Sequence, residues 1–271
     1  MGLVTRLSNG WNISMKSFQV LKANKQLIIL PVLSGSSMIL LMASFGFAIF
    51  TAKSTVHLSG KGYYYLGLFG FYFVNYFIVS FFNVALMRCV RMHFLGEEVS
   101  LRDGLAFSVK RIGTILLWSV IGATVGTILR VIQQESGIIG KIITGIIGII
   151  WNIATFFVIP VLAYEDTGPL QAVKRSAAIM KEKWGESLAG NFSFGLVQLL
   201  ALIVTAVPLY FLGAMLNPLV GIALAVFASV IVITIISAAQ AIFISAVYHT
   251  LQGTQVPIID NDNVDHLFTR K

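Results

Sequence analysis

Charge is what this sequence has least of. Only 11% of its 271 residues are Asp, Glu, Lys or Arg, against 57% hydrophobic, where a soluble domain carries roughly one quarter charged. Six apolar stretches, at about 27 to 51, 63 to 87, 112 to 131, 142 to 164, 188 to 212 and 219 to 247, hold no Asp, Glu or Lys, and Arg130 at the edge of the third is their one Arg. That scarcity excludes an ordinary soluble core. Cysteine is almost absent: Cys89 stands alone, which excludes an intramolecular disulfide. Its place beside Arg88 and Arg91, at a predicted membrane edge, suits a reduced thiol. Histidine is scattered, with His57, His93, His249 and His266 in no ligand spacing, so no metal site is expected. The sequence lacks a phosphate loop, a Gly-x-Ser-x-Gly elbow and a carboxylate pair within the apolar stretches. Intramembrane proteases and proton-coupled carriers rest on ionisable groups in the bilayer. The chain therefore reads as a non-enzyme with no cofactor.

Each stretch reaches the about 20 residues that cross roughly 30 Å of hydrocarbon, so the expected fold is all-α integral membrane with six transmembrane helices. Orientation follows from Lys and Arg, which are retained on the cytoplasmic side near span ends. Segments 1 to 26, 88 to 111, 165 to 187 and 248 to 271 carry fifteen of them, and the alternate segments four. Both termini are expected in the cytoplasm. The net charge of +8 is then a topology signal that also attracts anionic lipid headgroups. No nucleic-acid fold accompanies it. The start does not read as a cleavable signal peptide, since Arg6, Lys16, Lys22 and Lys25 spread before an apolar run too long for a signal core.

The basic segments share a pattern. Leu3, Leu7, Trp11, Phe18 and Leu21 recur at helical spacing over residues 3 to 21, with Lys16 off the stripe. Leu101, Leu105, Val109 and Ile112 follow a Ser100 and Asp103 capping signal. After Asp166 and Thr167, Pro169 suits a first helical turn, and Leu170, Val173, Ala177, Met180 and Trp184 form a third stripe flanked by Lys174, Arg175 and Lys181. Each reads as a cytoplasmic amphipathic elbow helix in the interface plane, so the chain is expected as three hairpins, each preceded by such an elbow. The short turn Gly213 to Pro218 fits the last hairpin. A single transmembrane domain over 1 to 250 and a short tail over 251 to 271 follow. In that tail Asp260, Asp262 and Asp265 lack the glycine and closing Glu of a calcium loop.

Uncharged polar residues remain inside the spans: Asn75, Asn83, Asn152, Gln198 and Gln240. They serve as interhelical hydrogen bonds or as the lining of a polar path. Gly122 and Gly126, with Gly221 and Ala225, are small residues four apart that let helix backbones approach, within one subunit or between copies.

The strings VIPVLAYEDTGPLQAVKRSAAIMKEKWGESLAGNFSFG, from Val158 to Gly195, and GWNISMKSFQVLKANKQLIILPVLSG near the start resemble a bacterial family of six-span membrane proteins with no assigned function, over roughly residues 5 to 250. Pro160 to Gly185 is also distantly similar to membrane domains found beside glycerophosphodiester phosphodiesterases. The resemblance implies architecture and a prokaryotic origin, and brings over no catalytic or binding residue.

Two functional classes follow. One is an accessory or scaffold protein that binds anionic lipid headgroups, a protein partner or a second copy through its basic helices, with Trp11, Lys16, Lys174, Arg175, Lys181 and Trp184 at the interface. The other is a small transporter or channel for a neutral or lipidic solute, lined by the uncharged polar residues.

Overall fold

The computed structural model describes residues 14–55, 61–182 and 184–251, and all its regular elements are helical. Helix α1 covers 14–23. Asn24 interrupts it, and a 3-10 turn over Lys25–Ile28 leads into α2, Ile29–Thr55. There follow α3 (Lys61–Phe94), α4 (Leu101–Lys110), α5 (Ile112–Glu135), α6 (Ile138–Ala154), α7 (Val158–Tyr164), α8 (Pro169–Glu182), α9 (Trp184–Ala214) and α10 (Pro218–Leu251).

Six segments are long and apolar enough to cross a membrane: Lys25–Ala48, Gly62–Phe94, Ile112–Glu135, Ile138–Tyr164, Ser193–Ala214 and Pro218–Thr250. They fall on the six apolar stretches of the sequence. Helices α3 and α10 have 34 residues each, about 51 Å at 1.5 Å per residue, so they overrun roughly 30 Å of hydrocarbon. The overrun carries Arg88 and Arg91 past the apolar part of α3.

The fourth segment is two helices. Residues 155–157 form a turn between α6 and α7, one turn ahead of Pro160. A proline ring clashes with the carbonyl four residues earlier and donates no hydrogen bond, so the ladder breaks at Phe156. Three-residue bonds take over there, from Phe156 to Ile153 (3.3 Å) and from Val158 to Thr155 (3.0 Å). Membrane helices tolerate this where neighbours take up the freed groups.

Other ends have local causes. After α3, Gly96 adopts φ 72°, Glu97 N–H bonds to Met92 O (2.9 Å) and Gly96 N–H to His93 O (3.1 Å), the Schellman closure that glycine permits. Helix α10 begins with Asn217 as its cap, whose Oδ1 accepts from Leu219 N–H at 2.8 Å, and Pro218 fills the first position, where a missing N–H does no harm.

The chain divides into two compact units. Of the described residues, one takes those within Met1–Val32, Cys89–Leu101 and Glu182–Lys271, the other those within Leu33–Arg88 and Arg102–Lys181. In the first, the core lies where α1, the 3-10 turn, the start of α2, the end of α3 and the second half of α10 supply Val20, Leu21, Leu27, Leu30, Val90, Ile242, Phe243, Ala246 and Tyr248. Phe194 joins them, with its ring 5.9 Å from Phe18 and 5.5 Å from Phe243. Gln26 Nε2 donates to the Val99 carbonyl at 2.8 Å, which pins the loop after α3. Helices α9 and α10 pack closely where glycine allows it. A Cβ on Gly213 would stand 2.7 Å from the Cα of Gly221.

In the second unit the core gathers Val84–Met87, Ile115, Trp118, Phe157, Val161, Leu162, Ala172, Ile179 and Met180. Trp118 stacks on Trp151 at 6.0 Å and meets Tyr76 edge to face at 6.3 Å. Gly122 lies against the Tyr76 ring, where a Cβ would come within 2.6 Å.

In both units burial concentrates toward one end of the long helices. Most of α6, the apolar part of α9 and the first half of α10 expose Ile, Leu, Val and Phe continuously. In water such a surface would associate. Against acyl chains it is the lipid-facing wall.

Candidate functional site

The most structured polar surface of the second unit lies where α4, the end of α3, the α7–α8 connection and α8 meet. Its geometry starts from two short helices with small residues on their inner sides. In α4, Gly104 and Ser108, one turn apart, are buried. In α8, Ala172 and Ser176 take the same relation and are also buried. Ser108 Oγ donates to the Phe81 carbonyl at 2.8 Å, and Ser176 Oγ accepts from the Phe157 N–H at 2.9 Å. Ser17 of α1 is buried as well.

Small inner faces displace the larger apolar side chains sideways. On α8 the buried residues are Pro169, Ala172, Ser176, Ile179 and Met180, while Val173 and Ala177 are half-buried. Leu170, part of the apolar stripe read from the sequence, is 67% exposed. At 100° per residue it falls on the flank shared with Lys174 and Lys181, both exposed. Val109 of α4 is likewise exposed beside Arg102. Each helix thus has a protein side, an apolar flank edged by cations, and a water side.

Arg111, in the turn between α4 and α5, ties this surface together. Its Nη1 donates to the Glu165 carbonyl at 3.2 Å and to Asp166 Oδ1 at 3.0 Å. Its guanidinium stands 5.6 Å from the Phe107 ring centroid, with that of Arg88 at 5.9 Å from the same centroid, so Phe107 serves two cations through its π system. Tyr164 donates its hydroxyl proton to the Met87 carbonyl at 2.8 Å. Arg175 Nε pairs with Glu165 Oε1 at 3.2 Å, which orients Arg175 toward the α7–α8 connection.

The remaining residues singled out by sequence are dispersed. Trp11 lies outside the described residues, and Trp184 opens α9 with its side chain outside them. Lys16 is half-buried on α1. Asn75 donates to Met38 Sδ at 3.4 Å, Asn83 is half-buried and Asn152 is exposed in the second unit. Gln198 and Gln240 are half-buried in the first. Gly126 lies in van der Waals contact with Tyr72, 3.5 Å from a Cβ, and Gly221 packs against the Tyr210 carbonyl and Ala214. Ala225 is half-buried. Cys89 is buried, its thiol 3.5 Å from the Ser100 carbonyl. Among the described residues no three of His, Cys, Asp and Glu lie together as a metal site. His57 and the acidic tail fall outside the described residues.

Sequence inspection missed Ser108 and Ser176. The available signal was their place four residues after Gly104 and Ala172, small residues on the side of the helix opposite its cations.

Six long apolar helices define a multi-pass membrane protein. Residues 62–256 match a family of unknown function, DUF6159, and the chain belongs to it. No curated protein matches the sequence.

Proposed function

We propose that this chain is a non-enzymatic accessory protein of a bacterial inner membrane that organises anionic lipid through its short basic helices. In this reading both termini are cytoplasmic, the six spans form three hairpins, and α1, α4 and α8 are the elbows that enter them. The observation that carries the reading is the three-sided build of α8. Its small face seats on the protein, Leu170 points out of the core, and Lys174 and Lys181 border that apolar flank. This is how a helix lies at a headgroup boundary, with the leucine in acyl chains and the lysine stems bent toward phosphates. Helix α4 repeats it with Val109 and Arg102. The distant likeness of Pro160 to Gly185 to membrane domains beside glycerophosphodiester phosphodiesterases covers all of α8 and accords with a lipid-facing role. Within this reading the uncharged polar residues of the spans serve packing, as Asn75 does against Met38.

The test is mass spectrometry of lipids and proteins retained by the purified wild-type chain and by Lys174→Gln/Lys181→Gln. Arg175 is left intact because Glu165 already engages it. The expected result is a severalfold drop in phosphatidylglycerol and cardiolipin relative to phosphatidylethanolamine. Equal retention by the two proteins overturns the lipid reading. A stoichiometric protein lost only from the variant would assign the same surface to protein docking.

A further inference from the structure

The other end of the second unit, where α5 passes into α6, holds an open cavity of about 490 Å³ lined by Arg130, Gln133, Gln134 and Lys141. Its volume lies in the range of small-molecule sites, but such sites are mostly walled by hydrocarbon, and this one has a guanidinium, an ammonium and two carboxamides. Arg and Lys contribute donors and no acceptor. The lining therefore disfavours cations and suits an oxyanion with several acceptor oxygens.

Three further observations agree. Neither Arg130 nor Lys141 is in an ion pair among the described residues. The nearest acid in sequence, Glu135, accepts from the Tyr65 hydroxyl at 3.0 Å. Gln134 Nε2 donates to the Tyr64 hydroxyl at 2.8 Å, which fixes one wall. Finally, Lys141 sits in the first turn of α6, whose cap is Gly137 with no side chain bonded to the free N–H groups. A helix start of this kind favours anions.

We infer that this cavity binds a phosphate group. Its source is a phospholipid headgroup or a free phosphate. The exposed Ile138, Ile139 and Ile142 beside it provide an apolar wall along which an acyl chain can lie, and this separates the two sources experimentally.

The full chain in neutral detergent is titrated calorimetrically with inorganic phosphate and with a short-chain phosphatidylglycerol. Wild type is expected to bind, and Arg130→Gln/Lys141→Gln to bind about tenfold or more weakly, in line with two lost charge-assisted contacts. Gln133→Glu, which adds a carboxylate to the lining without removing a cation, is expected to weaken binding too, and thermal unfolding checks that both variants are folded. Tenfold preference for the lipid identifies a headgroup as the ligand; equal affinity identifies free phosphate. Absence of binding to wild type, or unchanged affinity in both variants, overturns the inference. Because the residues differ from Lys174 and Lys181, either test can fail without the other.

Discussion

The backbone N–H of Phe157 donates to Ser176 Oγ at 2.9 Å. Pro160 breaks the fourth span one turn earlier and leaves this buried donor without a helical carbonyl, and α8 returns over the break with a hydroxyl as its acceptor. Ser108 does the reverse for α4, donating to the Phe81 carbonyl of α3 at 2.8 Å. The two bonds look alike but differ in what their loss leaves behind.

Replacing Ser176 by Ala leaves a buried N–H unpaired, an expected loss of about 1–3 kcal/mol. Replacing Ser108 by Ala leaves a carbonyl still inside the α3 ladder, so the expected loss is about 1 kcal/mol or less. Denaturant unfolding in detergent should rank Ser176→Ala as the more damaging. The opposite order would remove the helix break from the explanation.

Gly213→Ala sets a methyl 2.7 Å from the Cα of Gly221. The obstacle is backbone, so α9 and α10 must part, at a cost of about 1–3 kcal/mol by analogy with overpacked cores. Gly145→Ala on α6 meets nothing within 4 Å and is expected to be neutral or mildly stabilising, since alanine is the better helix former. Thermal unfolding of the two variants reads the contrast directly.

Gly122→Ala meets a side chain, the Tyr76 ring at 2.6 Å, which has some freedom to turn. The variant is expected to be destabilised, and Tyr76→Leu to relieve part of that loss. A double-mutant cycle should return a coupling of about 0.5–3 kcal/mol. Additivity within error would mean that the ring does not form the obstacle.

Arg111→Ala removes a hydrogen bond to the Glu165 carbonyl, an ion pair to Asp166 and a cation over Phe107. Asp166→Asn removes only the ion pair, and the Asp166 side chain is 99% exposed. Exposed pairs contribute about 1 kcal/mol or less. Unfolding measured at low and at high salt should show a small, salt-sensitive effect for Asp166→Asn and a larger, mostly salt-independent one for Arg111→Ala.

The membrane class and the six spans were legible because lipid imposes one strong rule, apolar side chains over a fixed length. That rule is blind to a break such as the one at 155–157. The stretch from 142 to 164 reads as continuous, since turn and helix there are equally apolar, and only Pro160 marks the place. The short helices were legible in position, α8 starting at Pro169 and α4 directly after Ser100. Their facing was legible only in part. Hydrophobic periodicity put Leu170 and Met180 on one stripe, whereas the structure exposes Leu170 and buries Met180, because close approach to a neighbouring backbone selects Ala172 and Ser176, whose advantage is size rather than hydrophobicity. The cavity around Arg130 and Lys141 was invisible for a different reason: the two residues entered the reading as charges to be counted for orientation, and counting carries no geometry.

The break at 155–157 also bears on how the fourth span meets its solvent. Helix α6 has 17 residues, about 26 Å at 1.5 Å per residue, short of roughly 30 Å of hydrocarbon. Its companion α7 is buried over five of its seven residues, and so is held by protein while α6 faces acyl chains. A rigid span answers a thinner or thicker bilayer by tilting as a whole. Here the helical ladder is interrupted at 155–157, between a short arm held by protein and a long one facing lipid, so a change in membrane thickness is expected to be taken up at that turn.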